Sequence, residues 1–265
     1  MMYTHNLDPI LLSLGFLSIR WYSLSYVFGI ILGWWLGKKI ISHVLKISKL
    51  KFDIKEFDDL ITIIIVSIVI GGRLGYVIFY NPEYYISHPM DIFKVWEGGM
   101  SFHGALIGVI LGTFFFSSKR NISAFFLLDI IACVAPIGIF LGRIANFING
   151  ELIGKATTVP WGVIFPAVDT LARHPSQLYE AILEGLVLFF ILNKIILSEV
   201  YKLGFCSSLF LIYYGAFRII SEFFREPDTQ LGYLFNLFSM GTILSFLMIL
   251  AGLLILNLLR RKNEN

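Results

Sequence analysis

Cysteine is nearly missing from this chain. Its 265 residues hold two, Cys133 and Cys206, and both sit inside apolar runs. No disulfide framework is expected from such a pair, and both read as small packing residues rather than exposed nucleophiles. Charge is scarce as well: charged residues make up 15% of the chain, against about a quarter in soluble domains. With 57% hydrophobic residues and a mean hydropathy of +0.79, the composition is that of a bilayer protein. The net charge of +3 is too small to point to nucleic acid. The first residues, MMYTHNLDPI, lack the basic start of a cleavable signal peptide, so targeting falls to the first true span. No spacing of histidine, aspartate and glutamate repeats a metal-ligand pattern, and no metal or other cofactor is expected.

What is present is a series of apolar stretches near the ~20 residues that cross a bilayer. They run over about 20–37, 60–80, 98–117, 123–141, 177–197, 204–225 and 234–259. The expected fold is an all-α integral membrane bundle of about seven transmembrane helices, a single transmembrane catalytic domain over 1–265. A polar insertion at about 143–176 separates spans four and five. Residues 9–19 are apolar but too short to span and are expected in the interface; the stretch 38–59 reads as amphipathic. Trp21, Tyr22 and Tyr26 near one end of span one, and Trp34 and Trp35 near the other, suit an aromatic belt. Glycines recur every four residues at Gly29, Gly33 and Gly37 and again at Gly104, Gly108 and Gly112, giving smooth ridges for close helix packing. Pro136 is expected to kink span four. Counted by side, thirteen lysines and arginines flank one face of the bundle and six the other, with Arg73 and Arg218 inside spans. The positive-inside rule then puts the tail RRKNEN in the cytoplasm and the amino terminus and the insertion outside.

In that orientation the out-of-place polar residues fall in one layer. Tyr26, Arg73, His103, the 143–151 stretch and the trio Arg218, Glu222 and Arg225 all come within roughly 10 Å of the outer boundary at 1.5 Å rise per residue. Ionisable side chains facing hydrocarbon are costly, so they are expected to line a shared cavity. Each also has a plainer reading. His103 could be a packed, hydrogen-bonded helix histidine, Arg73 a structural partner for a carboxylate, and Tyr26 an interface anchor. Asp129 reads as structural, a carboxylate suited to a helix start. In RHPSQLYE, Glu180 reads as closing a capping box with Ser176 or Gln177.

The densest polar stretch is GRIANFINGELIG at 142–154, with Arg143, Asn146, Asn149 and Glu151 beside an apolar span. A turn can use the glycines and asparagines. The arginine and glutamate suit an anionic headgroup better. This segment resembles the signature of the prolipoprotein diacylglyceryl transferases, bacterial integral membrane enzymes. GGRLGYVIFYNPEYY from Gly71, WEGGMSFHGALIG from Trp96, RHPSQLYEAILEG from Arg173 and the run from Tyr213 to Asp228 resemble the family too, in the same order. Departures are mild: Ala145 stands where the family often has glycine, Glu97 where aspartate is common, and Ile153 where an aromatic is frequent.

The resemblance implies transfer of the diacylglyceryl group from phosphatidylglycerol to the lipobox cysteine thiol of a preprolipoprotein signal peptide, giving a thioether and glycerol phosphate. The reaction is the first step of lipoprotein maturation, placed in the bacterial inner membrane. The attacking thiol belongs to the substrate, so the enzyme supplies a thiol activator and positive charge for the departing phosphate. On this reading Arg143 and Arg218 hold the phosphate. Asn146, Glu151, Gly154 and Glu222 belong to the phosphatidylglycerol site, and His103 takes the thiol proton with Tyr26 nearby. A carboxylate or water could stand in for the histidine. The competing reading is a membrane lipid transporter or flippase, which also needs charge within the membrane. Transporters show paired internal repeats and midplane sites; this chain has no clear repeat, and its polar residues gather in one leaflet.

Overall fold

A computed structural model describes residues 2–14, 17–48, 50–198, 201–227 and 239–264. The long helices are α1 (Trp21–Ile47), α2 (Glu56–Phe79), α4 (Phe102–Arg120), α5 (Ala124–Asn149), α8 (Phe205–Glu222) and α9 (Met240–Glu264). A short α3 (Pro82–Ser87) and two single-turn helices follow α2. A further rod is composite: α6 (Ser176–Glu180), a π-helical stretch Ala181–Val187, and α7 (Leu188–Ile196). Among the described residues five helices, α1, α2, α4, α5 and α9, are long and apolar enough to cross a membrane. The 176–196 rod and α8 carry buried glutamates and a buried arginine, which lowers their apolar content. The start of the seventh expected span, at 234, lies outside the described residues.

Several boundaries differ from the sequence pattern. Helix α1 runs on through the lysine-rich stretch to Ile47, because Ile40, Ile41 and Val44 continue its apolar face and are buried. The described residues of the 9–19 stretch are extended. They form a hairpin of β2 (Ile10–Leu14) and β3 (Leu17–Arg20) that leads into α1. The 150–175 insertion holds two further short strands, β4 (Val163–Ile164) and β5 (Ala172–Arg173), and β4 pairs in parallel with β1 (Tyr3–Thr4). His5 secures that join: its N–H donates to Ile164 O at 2.8 Å and its Nε2 meets Phe147 O at 2.8 Å. The amino terminus and the insertion therefore share one end of the bundle.

The bundle divides into two halves along its axis. At the end away from the insertion, Ile40, Ile41, Phe57, Leu60, Phe126, Leu127, Ile130, Leu188, Leu192 and Ile196 make a dry core with almost no exposure. Cys133 and Cys206 lie in it, both with Sγ against Leu192 O, at 3.7 and 3.9 Å. Asp129 is the one acidic residue in this half of α5. It serves the start of α8 rather than its own helix, accepting from Gly204 N, Ser207 N and Tyr201 Oη at 2.6, 2.6 and 2.7 Å. Three residues before Pro136, Asn193 Nδ2 donates to Cys133 O at 2.9 Å, tying α7 to α5.

The two glycine ridges pack as their spacing suggests. Gly29 of α1 faces Gly138 of α5, where an added Cβ would come within 3.1 Å of Gly138 Cα. Between α2 and α4 the approach is closer still. A Cβ at Gly104 would run into Gly71 O, and one at Gly108 into Ser67 O, both backbone atoms that cannot move aside. Gly108→Val should therefore force α2 and α4 apart, costing about 1–3 kcal/mol. A lowered thermal midpoint in detergent is the expected readout; an unchanged midpoint would show that the two helices are not held this closely.

Candidate active site

The half of the bundle nearest the insertion is built around two glutamates. Glu180 and Glu184 lie one turn apart, and both are fully buried. They flank the start of the π-helical stretch, where each turn carries an extra residue; such local widenings re-aim side chains. Close packing holds the stretch in place, for a Cβ at Gly185 would come within 2.9 Å of Phe140 Cα. Glu180 does not close a capping box: no side chain caps the start of α6. Its carboxylate is instead shared among three arginines. Oε2 lies 2.9 Å from Arg143 Nε; Oε1 lies 2.7 Å from Arg218 Nη1 and 3.3 Å from Arg225 Nη1.

Glu184 adds a second bridge, with Oε2 at 3.3 Å from Arg143 Nη2 and Oε1 at 3.7 Å from Arg218 Nη1. Arg218 also pairs with Glu222 at 2.6 Å, the partner that helical spacing on α8 predicts. Glu222 in turn accepts from Ser239 Oγ at 2.9 Å. Three guanidinium groups and three carboxylates thus interlock where α5, α6 and α8 meet. Guanidinium suits this task because it stays charged and offers several donors in one plane.

One turn beyond Arg143, Asn146 Nδ2 donates to Glu151 Oε1 at 2.7 Å, and Asn149 Nδ2 reaches the same oxygen at 3.2 Å. Glu151 is otherwise exposed, so its carboxylate is held by amides with one oxygen left for a ligand. Gly154 sits where the backbone is crowded. A Cβ there would meet His174 O and, at 2.7 Å, Phe224 O, and its backbone bridges to Arg225. Its bare Cα lets the insertion close against the end of α8, which carries Arg225 to Glu180.

Of the remaining sequence candidates, His103 stands beside the cluster, within electrostatic range of Arg218. Its buried Nε2 has no hydrogen-bond partner among the described residues, so it is not tied down as a packing histidine would be. The neighbouring Phe102 stacks on Tyr214 at 4.8 Å, which orients this end of α4 over α8. Tyr26 is exposed and its hydroxyl donates to Tyr22 Oη at 3.0 Å, yet it lies within electrostatic range of Arg143 and Glu151. Arg73 is a different case. Among the described residues it meets no carboxylate; its guanidinium donates to the carbonyls of Asp91, Ile92, Gly98 and Gly99 and fixes the 91–99 loop.

Sequence reasoning overlooked Glu184 and misread Glu180. The signal that could have found them is two carboxylates at i, i+4 spacing opening an apolar run, EAILEGLVLFF.

The family described as prolipoprotein diacylglyceryl transferase matches residues 9–258 of this chain. The chain belongs to that family. A relative from Methylocella silvestris, named phosphatidylglycerol–prolipoprotein diacylglyceryl transferase, is 48% identical over 249 residues, which is 93% of this chain and 92% of its own. Relatives of the same name from Rickettsia felis and Rickettsia bellii are 51% and 50% identical, over 93% and 94% of this chain and 95% and 94% of theirs. A prolipoprotein diacylglyceryl transferase is a membrane enzyme, and the apolar helices of this fold suit that setting.

At the rim of the insertion, Arg173 Nη2 pairs with Asp169, and Arg173 Nη1 reaches Gly154 O at 3.0 Å. The guanidinium bond holds the Asp169 carboxyl below the usual carboxylate range. A depressed folded value stabilises above the unfolded one and is lost as pH falls through the folded value, here below about pH 4. Amide exchange at Ala172 and Arg173 should therefore accelerate in acid more in the wild type than in Asp169→Asn. Equal acid responses would mean the pair does not secure this strand.

Proposed function

We propose that this protein transfers the diacylglyceryl group of phosphatidylglycerol to the lipobox cysteine of a preprolipoprotein signal peptide. The protein is a transferase; the assignment of individual roles follows from the chemistry. The substrate thiol loses its proton, and the sulfur attacks the glyceryl methylene carbon bonded to phosphate oxygen. A C–S bond forms, the C–O bond breaks, and glycerol phosphate leaves with the electron pair. The proton ends on the base or on the departing phosphate, so atoms and charge balance.

The observation that carries the reading is the pair Arg143, half-buried, and Arg218, buried, locked side by side on one carboxylate, Glu180. Two like charges are not held together there without use, and a phosphate is an anion their planar forks can share. Glu184 and Glu222 fix the guanidinium groups beforehand, so little reorganisation is needed when charge develops on the leaving oxygen. Asn146 and Glu151 suit the hydroxyls of a glycerol headgroup, since an amide and a carboxylate offer both donor and acceptor. His103 and Tyr26 take the thiol side, His103 with an unengaged ring nitrogen available for the proton. Both substrates reach the site from the membrane, and the whole chain acts as one catalytic domain.

The direct test is to incubate purified protein with phosphatidylglycerol and a lipobox peptide and look by mass spectrometry for the added diacylglyceryl mass. No mass gain by well-folded protein would overturn the reading. Arg218→Ala should slow transfer by roughly a hundredfold, and Arg218→Lys should keep part of the rate because charge survives without the two-pronged match. Restoration of the wild-type rate by adding Glu222→Gln to Arg218→Ala would reduce Arg218 to a structural counter-ion.

We also propose that the insertion and amino terminus face the periplasm and the carboxyl terminus the cytoplasm of the inner membrane. The bias of basic residues toward the opposite end of the bundle supports this. Cysteines introduced at Thr170 and Asn263 can be probed with a membrane-impermeant maleimide. Labelling is expected at 170, and labelling at 263 alone would invert the topology.

A further inference from the structure

Helix α6 opens with Ser176 and Gln177, both fully buried. Polar side chains at a helix start ordinarily satisfy that helix's own free N–H groups. Here they do not. Ser176 Oγ donates to Leu152 O at 3.0 Å, and Gln177 Nε2 donates to Glu151 O at 2.6 Å. Two adjacent side chains thus grip two adjacent carbonyls of the turn that carries Glu151.

That turn needs holding. Leu152 has φ 55°, a left-handed conformation in which a non-glycine residue is strained unless its surroundings enforce it. On the other side, Glu151 N bonds Asn146 O at 3.1 Å while Asn146 and Asn149 hold the carboxylate. Gln177 Oε1 is buried without a partner among the described residues, so the amide is not there to complete a wider polar network. Its one bond goes to Glu151. Gln177 also stands three residues before Glu180 on the same rod, so a single element fixes both Glu151 and the carboxylate on which Arg143 and Arg218 converge.

We propose that Ser176 and Gln177 form a positioning clamp that sets the separation between the two ends of the headgroup site. One end is the Asn146–Glu151 pair, which meets the glycerol hydroxyls; the other is the arginine pair, which meets the phosphate. The inference rests on the roles given under Proposed function. Gln177 touches no substrate and acts through Glu151. Its loss weakens capture of the glycerol headgroup and leaves the bond-breaking step largely intact.

The test is a double-mutant cycle on the purified full-length protein, using dihexanoyl phosphatidylglycerol as the probe. Binding, KM, kcat and thermal midpoint are measured for wild type, Gln177→Met, Glu151→Ala and the double variant. Methionine keeps the length of glutamine but cannot donate. Gln177→Met should weaken binding and raise KM about tenfold, with kcat within about twofold of wild type. In the Glu151→Ala background the same change should shift binding by less than about twofold, because the group it positions is gone. The thermal midpoint should fall equally in both backgrounds, which separates positioning from folding. Full multiplication of the two binding losses, or unchanged binding in Gln177→Met, overturns the clamp. If Gln177→Met does not fold, Ser176→Ala, which deletes one oxygen, takes its place in the cycle, and the same two outcomes overturn the clamp. A wild type that neither binds nor transfers from the probe overturns the functional reading beneath the clamp; a wild type that transfers, with multiplicative losses, overturns the clamp alone.

Discussion

A carboxylate sealed from solvent with three guanidinium groups around it is the constraint on which this structure rests. Transferring an isolated charge out of water costs several kcal/mol even after relaxation, so each of these groups depends on the others being present. Glu180 satisfies arginines from α5, from α8 and from the chain beyond α8. If any one member of that arrangement shifted, an uncompensated charge would remain inside the membrane region. The interlock therefore specifies how α5, α6 and α8 meet at that end far more narrowly than apolar packing could.

The division of the bundle into a dry half and a charged half follows from the same demand. Helix α5 is apolar through Val134, packs on α7 and α8 there, and turns polar only from Arg143 onward. The dry half supplies packing stability without specific partners. The charged half supplies little net stability but a low-dielectric setting in which each hydrogen bond counts for more than in water. Asp129, the exception in the dry half, is accommodated because a helix start gives it three donors at once. In both halves the buried carboxylates take donors from neighbouring elements.

The membrane class, the glycine-lined helix contacts and the convergence of polar residues at one end were legible in the sequence, because each leaves a periodic or compositional trace. Arg143 and Arg218 stood out because charge in an apolar run is conspicuous. Glu180 was present in the same pattern but was explained away locally, as a cap for its own helix start. Its actual partners lie on α5, on α8 and in the chain beyond α8, and no short-range rule could name them. Arg73 failed in the opposite sense: the pattern suggested a carboxylate partner, and the actual partners are main-chain carbonyls, which have no signature in sequence. The hairpin at 10–20 and the pairing of β1 with β4 were invisible for a related reason, since strands of two to five residues carry too little alternation to register.

That last pairing bears on the order in which the molecule can be completed. Strand β1 comes first in the chain, yet its partner β4 follows only after α1 to α5. During synthesis the leading segment therefore cannot pair until α1 to α5 have been made. His5 can reach Phe147 and Ile164 only once that stretch arrives. The roof over the reactive end is thus among the last parts to close, and it closes by joining the earliest residues made to some made much later.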